Sequence, residues 1–224
     1  MAVSKNGLIA SYLSVLGTLL ALVAFATENW LVTDKSGRKF DRIGLWVVCF
    51  KNLEDSHRWY DVKLINSCRS VFGKQYYIIH DILFGNNRFY HYTQFWFTVC
   101  VLSALVGLYH TKCYVKLSSP AWVDGHRVKT AFRTGVVYII SAVFGTVALV
   151  IFGIHGVDRT WMPDWRHNHI GWSYGVGVAG TIALWVGGIL YAIEGRALKI
   201  KLRKRTTTRK PNTDDKLQGQ CSEV

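Results

Sequence analysis

Charged side chains are absent from four long stretches of this 224-residue chain. The first runs from Leu8 to Ala26, and the others run from Thr93 to His110, from Thr134 to Val157 and from Ile170 to Ile193. At about 1.5 Å per residue, a helix of this length crosses a hydrocarbon layer of roughly 30 Å. The sequence therefore predicts an integral membrane protein that crosses the bilayer four times.

Acidic residues and catalytic motifs are also missing where a transporter or an enzyme would need them. No Asp or Glu lies within any predicted span, which weighs against a proton-coupled or ion-coupled carrier. The chain has no Gly-rich phosphate loop, no nucleophile elbow and no paired-carboxylate arrangement. We therefore expect neither an enzyme nor a bound cofactor.

The first apolar run has an alternative interpretation. Lys5, the run itself and the small residues up to Ala26 also resemble a signal peptide with a cleavage site. A usual signal peptide has an apolar region of roughly 7–15 residues, and this run is longer. The length favours a membrane span.

Basic residues are distributed unevenly between the segments that join the spans. The tail after Ile193 carries nine and the loop between spans 2 and 3 carries five, whereas the loop between spans 3 and 4 has only Arg159 and Arg166. Because short cytoplasmic segments carry the excess of Lys and Arg, both termini are predicted to be cytoplasmic. This placement accounts for the net charge of +13, so no nucleic-acid partner is expected.

These features divide the chain into nine predicted segments. They are cytoplasmic residues 1–7, span 8–26, extracellular loop 27–92, span 93–110, cytoplasmic loop 111–133, span 134–155, extracellular loop 156–169, span 170–193 and cytoplasmic tail 194–224. The first loop is rich in aromatic and β-branched residues, so we expect a small extracellular antiparallel β-sheet on an all-α membrane bundle. Its strands are predicted in Lys39–Phe50 and Arg58–Ile65, with a polar stretch from Lys51 to Ser56 between them. The polar tail is expected to be mobile.

Small residues recur at four-residue steps within three spans. They are Gly17 with Ala21, Ser141 with Gly145, and the series Gly175, Ala179, Ala183 and Gly187. Such faces let helix backbones approach closely. Packing within one bundle is the simpler interpretation, and a dimerisation face is the alternative.

Cysteine placement predicts one disulfide. Cys49 and Cys68 are the only cysteines in the predicted extracellular region, where thiols are oxidised, although two free thiols remain the alternative. The bond would stabilise the fold by roughly 3 kcal/mol in the chain-entropy model. Cys113 lies just past a membrane end, where reversible palmitoylation is plausible.

Histidines in the predicted extracellular loops could in principle bind a metal ion. His155, His167 and His169 lie near Asp158 and Asp164 in the sequence. Without cysteine ligands or a helical spacing, they are more simply solvated loop side chains near the interface. No metal site is predicted.

The cytoplasmic tail carries two interaction signals. Its last residues, Ser222, Glu223 and Val224, match a PDZ ligand, in which the peptide adds a strand to a sheet edge and a pocket takes the terminal apolar side chain. The basic run from Lys199 to Arg205 would face the anionic lipids of the inner leaflet, at about 1 kcal/mol per basic residue. The plainer role of this run is to anchor the topology, and both can hold.

A sparse motif in the first extracellular loop resembles a known family. The motif residues are Trp30, Gly44, Leu45, Trp46, Cys49 and Cys68. Together with four spans, they resemble the W-GLW-C-C signature of the claudin superfamily, which includes claudins, peripheral myelin protein, epithelial membrane proteins, the lens fibre membrane protein, PERP-like proteins and stargazin-type channel subunits. The resemblance covers about residues 5–195, and Arg88 sits where many claudins carry an Arg.

The resemblance implies structural roles for the motif residues, but it does not show to which branch of the superfamily the chain is related. Trp46 and its neighbours would seat the sheet on the helix ends, and Trp30 would sit in the interfacial aromatic belt. The gap of 18 residues between Cys49 and Cys68 is longer than in typical claudins. The selectivity segment of a claudin therefore cannot be mapped onto this loop.

Two functions follow as expectations. The first is a plasma-membrane protein of cell–cell junctions that binds adhesion or other tetraspan proteins in the same or an adjacent membrane, with a PDZ scaffold on its tail. Exposed Trp161 and Trp165 would be contact anchors in the second extracellular loop, or else interfacial anchors. The second function is an auxiliary subunit that modulates an ion channel or receptor.

Overall fold

Four long helices and a small sheet make up the computed structural model, which describes residues 4–34, 40–53, 65–72, 88–116, 125–159, 161–162 and 165–208. The helices are α1 (Lys5–Ala26), α2 (Phe89–Lys116), α3 (Gly125–His155) and α4 (Trp172–Thr208). The strands are β1 (Leu31–Thr33), β2 (Phe40–Ile43), β3 (Val47–Leu53), β4 (Ile65–Ser70) and β5 (Asn168–Ile170). A 3₁₀ turn, Trp165–His167, precedes β5.

All four helices are long and apolar enough to cross a membrane. Apolar side chains remain exposed on their outward faces, among them Leu8, Tyr109, Val150 and Ile182. In a bilayer this surface contacts lipid, and each helix satisfies its own backbone hydrogen bonds. The predicted four-helix membrane bundle is confirmed.

Helix packing uses part of the set of small residues that the sequence places at regular steps, whereas Gly175 and Ala179 are exposed. Helix α1 packs along α4, α4 along α3, and α3 along α2. A Cβ added to Gly17 would lie 2.9 Å from the carbonyl oxygen of Gly180, and one added to Gly187 would lie 2.3 Å from Ser14 Oγ. These glycines therefore pack inside one bundle, as predicted, because no larger residue fits between the backbones.

The sheet lies at the end of the bundle where α1 and α3 finish and α2 and α4 begin, hereafter the sheet end. Its strand order is β4-β3-β2-β1-β5, and all neighbouring strands are antiparallel. Strand β5 comes from the second loop, and Leu31 faces Ile170 in the register of β1 and β5. The small antiparallel sheet is confirmed, but a sheet built from the first loop alone is incomplete.

Strand boundaries in the first loop differ from the prediction. The predicted strand Lys39–Phe50 is a hairpin, with β2 and β3 joined by a turn at Gly44, Leu45 and Trp46. Strand β3 continues to Leu53, through part of the polar stretch that was expected to separate strands. The ends of these strands are set by backbone hydrogen bonds to the neighbouring strands rather than by the polarity of the side chains. Of Arg58–Ile65, only Ile65 lies among the described residues.

At the tail end of the bundle, opposite the sheet, the structure contradicts the prediction of a mobile tail for the first part of that tail. Helix α4 continues to Thr208, so residues 194–208 are helical. The extension is rich in Arg, Lys and Leu, which favour helix, and Leu198 packs against the buried residues of this end. Residues 209–224 lie outside the described part of the chain.

A buried polar network joins the helices at the tail end. The Tyr191 hydroxyl donates to Thr111 Oγ1 at 3.3 Å and lies 2.8 Å from Ser11 Oγ. Tyr114 donates to the carboxylate of Glu194, which is only 3% exposed. Glu194 was placed in the tail by sequence, whereas the structure buries it between helices because a hydrogen-bonding partner is available there.

Candidate functional site

Trp30 connects the sheet to the helices. Its ring is fully buried and packs edge-on against Phe97, Phe152 and Tyr174, with centroid distances of 5.1, 5.0 and 5.8 Å. Its indole N–H donates to the carbonyl of Ala24 in the last turn of α1, at 2.7 Å. The expectation that Trp30 sits in the interfacial aromatic belt is wrong, because three helices enclose it.

The β2–β3 turn is held down by polar side chains of α2. The Tyr90 hydroxyl donates to the carbonyl oxygens of Gly44 and Leu45 at 2.6 and 3.0 Å. Gln94 donates its side-chain amide to the same Leu45 oxygen at 2.6 Å. Leu45 is fully buried, so these bonds satisfy carbonyl groups that water cannot reach.

Two glycines allow the sheet to approach the ends of the helices. A Cβ on Gly44 would lie 2.5 Å from Glu28 Cα, and one on Gly171 would lie 2.2 Å from the carbonyl oxygen of Asn29. Gly171 also donates its N–H to the carbonyl of Trp30 at 2.9 Å. Both positions therefore require the absence of a side chain.

Trp46 covers the side of the same turn. Its ring is half-buried and meets Phe25 of α1 edge-on, with the centroids 5.2 Å apart, and it lies 6.1 Å from the ring of Phe72. The predicted seating of the sheet by Trp46 and its neighbours agrees with this geometry. Trp30, Tyr90 and Gln94 provide the deeper part of the seat.

Cys49 and Cys68 form a disulfide. They face each other in the register of β3 and β4, with their Cα atoms 4.0 Å apart. Cys49 is buried, whereas Cys68 is exposed. The predicted pairing is confirmed, and the bond joins β3 to β4, the outermost described strand on that side.

Charged residues form two ion pairs on β2 and its neighbours. Arg42 contacts Glu28 at 3.1 Å, and Lys51 contacts Asp41 at 2.8 Å. Both pairs are partly exposed, so each stabilises the fold by no more than about 1 kcal/mol. Their larger effect is to hold charges of both signs at defined positions on the sheet.

Trp161 does not occupy the position that the sequence predicted for it. Its side chain is 2% exposed and packs between the rings of Phe89, Tyr90 and Phe152, with centroid distances of 4.8, 5.7 and 5.9 Å. An exposed contact anchor at Trp161 is therefore wrong. Sequence gave no sign of this burial, because the packing partners come from α2 and α3.

The remaining predicted site residues are distributed over the molecule. Arg88 precedes α2 with an exposed side chain, and its carbonyl accepts the N–H of Tyr92 at 3.2 Å. Cys113 is a half-buried free thiol near the end of α2, so its palmitoylation stays a prediction. The side chain of Trp165 and the whole of Ser222, Glu223 and Val224 lie outside the described residues.

Possible metal ligands are engaged in other bonds. Glu28, Cys49 and Cys68 cluster, but the two sulfurs are bonded to each other and cannot act as thiolates. His155 pairs with Asp158 at 3.1 Å. His169 pairs separately with Asp34, also at 3.1 Å. The two histidines thus have different acidic partners within the described chain.

One family model, described as PMP-22/EMP/MP20/Claudin tight junction, matches residues 15–193. The chain belongs to this family. It is also similar to the human lens fiber membrane intrinsic protein, with 24% identity over 186 residues that cover 78% of this chain and 83% of that protein. Family membership agrees with the four helices, the sheet and the disulfide, and with a multi-pass membrane protein.

The contacts of the motif residues give them a common structural task in this chain. Trp30 lies beneath the sheet, Gly44 and Leu45 form the bonded turn, and the disulfide joins two strands. Tyr90, Gln94 and Gly171 share the task, although they are not part of the short motif. The arrangement fastens the sheet to the end of the helix bundle.

Proposed function

We propose that this claudin-family protein acts at cell–cell junctions of the plasma membrane, with the sheet outside the cell and both termini in the cytoplasm. The observation that carries the proposal is the attachment of the sheet to the helices by buried hydrogen bonds. Strands from both loops share one sheet, and Trp30 and Tyr90 bond it to α1 and α2. A surface held in one orientation loses little entropy when it binds, which favours repeated contacts between neighbouring molecules.

The sheet offers a contact surface of mixed charge. A groove of about 520 Å³ is lined by residues of β2, β3 and β4, including Asp41, Arg42, Lys51 and Ser67. Fixed charges of both signs favour complementary partners and suppress mismatched ones. This groove supports binding to another adhesion or tetraspan protein in the same or an adjacent membrane.

The test is expression of the protein alone in cells that form no junctions of their own, with differently tagged populations mixed. We expect the protein to concentrate at contacts where both cells express it. A surface signal that stays uniform would contradict the junction role. Uniform signal together with co-purification of a channel or receptor would instead support the auxiliary-subunit function.

A charge exchange separates partner binding from folding. In the double variant Asp41→Lys/Lys51→Asp, the two side chains still attract each other, but these two charges of the groove have exchanged positions. We expect normal surface delivery and weaker enrichment at contacts. Enrichment equal to wild type would exclude this part of the sheet as the contact surface.

The orientation has its own test. Tags at either terminus should become accessible to antibodies only after permeabilisation, whereas a tag within residues 35–39, between β1 and β2, should be accessible on intact cells. Surface labelling of a terminus would refute the proposed topology, whatever the partner.

The tail is proposed to bind a PDZ scaffold through Ser222, Glu223 and Val224. Val224→Ala should reduce scaffold recovery in pull-downs without changing membrane insertion, because the pocket for the terminal side chain is left partly empty. Glu223→Ala is a matched control, since the middle residue of the three contributes neither the hydroxyl nor the terminal side chain. Unchanged recovery with Val224→Ala would refute the proposed scaffold.

A further inference from the structure

A groove separates α3 and α4 at the tail end of the bundle. The two helices touch where Gly195 faces Phe132, since a Cβ on Gly195 would lie 3.3 Å from the backbone nitrogen of Phe132. Seven residues earlier on α3, a Cβ on Gly125 would meet no atom within 4 Å. Beyond this contact, a cavity of about 490 Å³ lies between the two helices.

The groove combines an apolar floor with a basic rim. Val128 and Phe132 of α3 and Leu202 of α4 supply apolar surface. Three cations line the same space: Lys129 of α3, and Arg196 and Lys199 of α4. All three have exposed side chains, so an amphipathic molecule could place its apolar part on the floor and its anionic part at the rim.

Acidic side chains in the described part of the chain do not neutralise this rim. Among the described residues, no carboxylate pairs with Lys129, Arg196 or Lys199. The one acidic residue of α4, Glu194, is buried in the bundle and accepts a hydrogen bond from Tyr114 of α2. Within the ranges that the structure describes, the cations that line the groove therefore have no acidic partner.

The groove also lies at the depth of lipid headgroups. From Trp172 to Glu194, α4 rises roughly 33 Å at 1.5 Å per residue, which is about the thickness of the hydrocarbon layer. Gly195, Arg196 and Lys199 come directly after this stretch. Phospholipids of the surrounding leaflet therefore reach the groove laterally, without leaving the membrane.

We propose that the groove between α3 and α4 binds one anionic phospholipid of the inner leaflet, with its headgroup phosphates on Lys129, Arg196 and Lys199 and its glycerol and upper acyl chains on Val128 and Phe132. The proposal rests on the cytoplasmic placement of the tail end and is independent of the junction role. It describes a built site, in contrast to diffuse attraction between the basic tail and an anionic membrane.

The experiment measures lipid binding to the full chain in detergent micelles by native mass spectrometry. A phosphatidylinositol monophosphate is the probe, and phosphatidylcholine and free inositol bisphosphate are comparison ligands. We expect preference for the anionic lipid over both. Equal binding of phosphatidylcholine would refute selection by charge, and equal binding of the free headgroup would refute docking of a lipid.

Two matched charge variants distinguish the groove from the rest of the tail. The first variant removes the three cations of the rim and is Lys129→Gln/Arg196→Gln/Lys199→Gln. The second removes three cations from the part of α4 that follows the groove and is Lys201→Gln/Arg203→Gln/Lys204→Gln. At about fivefold per cation, the rim variant should lose affinity by on the order of a hundredfold, and the second variant by much less. Equal losses would overturn the proposal in favour of diffuse attraction.

A steric variant tests the cavity without changing any charge. Gly125→Trp places a large ring in the open groove, and Gly125→Ala is its control, because a Cβ there meets no atom within 4 Å. We expect the Trp variant to lose lipid binding at least tenfold while both variants unfold at the temperature of the wild type. Undiminished lipid binding by Gly125→Trp would show that the groove is not the site.

Discussion

Removal of a single hydroxyl group, in Tyr90→Phe, tests how the sheet is fastened to the bundle. The hydroxyl donates to the carbonyl of Gly44 at 2.6 Å and to that of Leu45 at 3.0 Å. Without it, Leu45 keeps its bond from Gln94, whereas Gly44 loses the side-chain donor that reaches it. A buried carbonyl left without a partner costs about 1–3 kcal/mol, so we expect a loss of stability in that range.

Tyr90 and Gln94 both donate to the Leu45 carbonyl, so removing both donors tests the fastening more stringently. Gln94→Met keeps the side-chain volume and removes the second donor, and it should cost only about 0.5–1.5 kcal/mol because Tyr90 still bonds Leu45. In the double variant Tyr90→Phe/Gln94→Met, Leu45 loses both donors. The double variant should therefore be less stable than the sum of the single effects predicts, by about 1 kcal/mol.

The assay is equilibrium unfolding in detergent micelles, which yields the free energy of unfolding of each variant. Tyr92→Phe is the matched control, because Tyr92 lies at the same end of α2 with its side chain 53% exposed, and the change should be within about 0.5 kcal/mol of neutral. A Tyr90→Phe variant as stable as this control would refute the fastening role. Strict additivity in the double variant would show that the two side chains do not share Leu45.

Three further predictions concern the disulfide, the buried tryptophan and the helix contact. Cys49→Ser and Cys68→Ser should lower surface delivery equally, and a double variant worse than either would contradict their shared bond. Trp161→Ala should lower the free energy of unfolding of the isolated protein by about 3–5 kcal/mol, whereas a purely partner-contacting residue would leave it unchanged. Gly17→Ala should lower the free energy of unfolding by about 1–3 kcal/mol, because the added Cβ disturbs the packing of α1 against α4. Gly175→Ala is the control and should not lower it, because a Cβ there meets no atom within 4 Å. Identical unfolding curves for the two variants would refute the close contact at Gly17.

Part of the tertiary contact pattern was already visible in the chain. Small residues such as Gly17 and Gly187 recur at helical steps because neighbouring backbones must pass close to them, and the structure puts them at those contacts. The disulfide followed from placement, since Cys49 and Cys68 were the two cysteines of one oxidising segment. Both inferences depend on local spacing or on counting, which sequence contains directly.

The candidate site was only partly predictable. The W-GLW-C-C pattern marked Trp30 and the β2–β3 turn but did not indicate that Tyr90 and Gln94 of α2 bond this turn. Trp161 was expected on the surface because it lies in a polar loop. Its burial comes from rings on α2 and α3, and no local pattern reports such partners.

By itself, the sequence determined the membrane class, the four helices and the disulfide of this protein, because apolar run length and compartment act on each segment separately. Only the tertiary structure decided that β5 completes the sheet, that Trp161 lies in the core and that Glu194 is buried beside Tyr114. Each of those outcomes needs residues far apart in the chain to meet. Strand pairing and buried polar bonds are formed between segments, so they depend on how the helices pack.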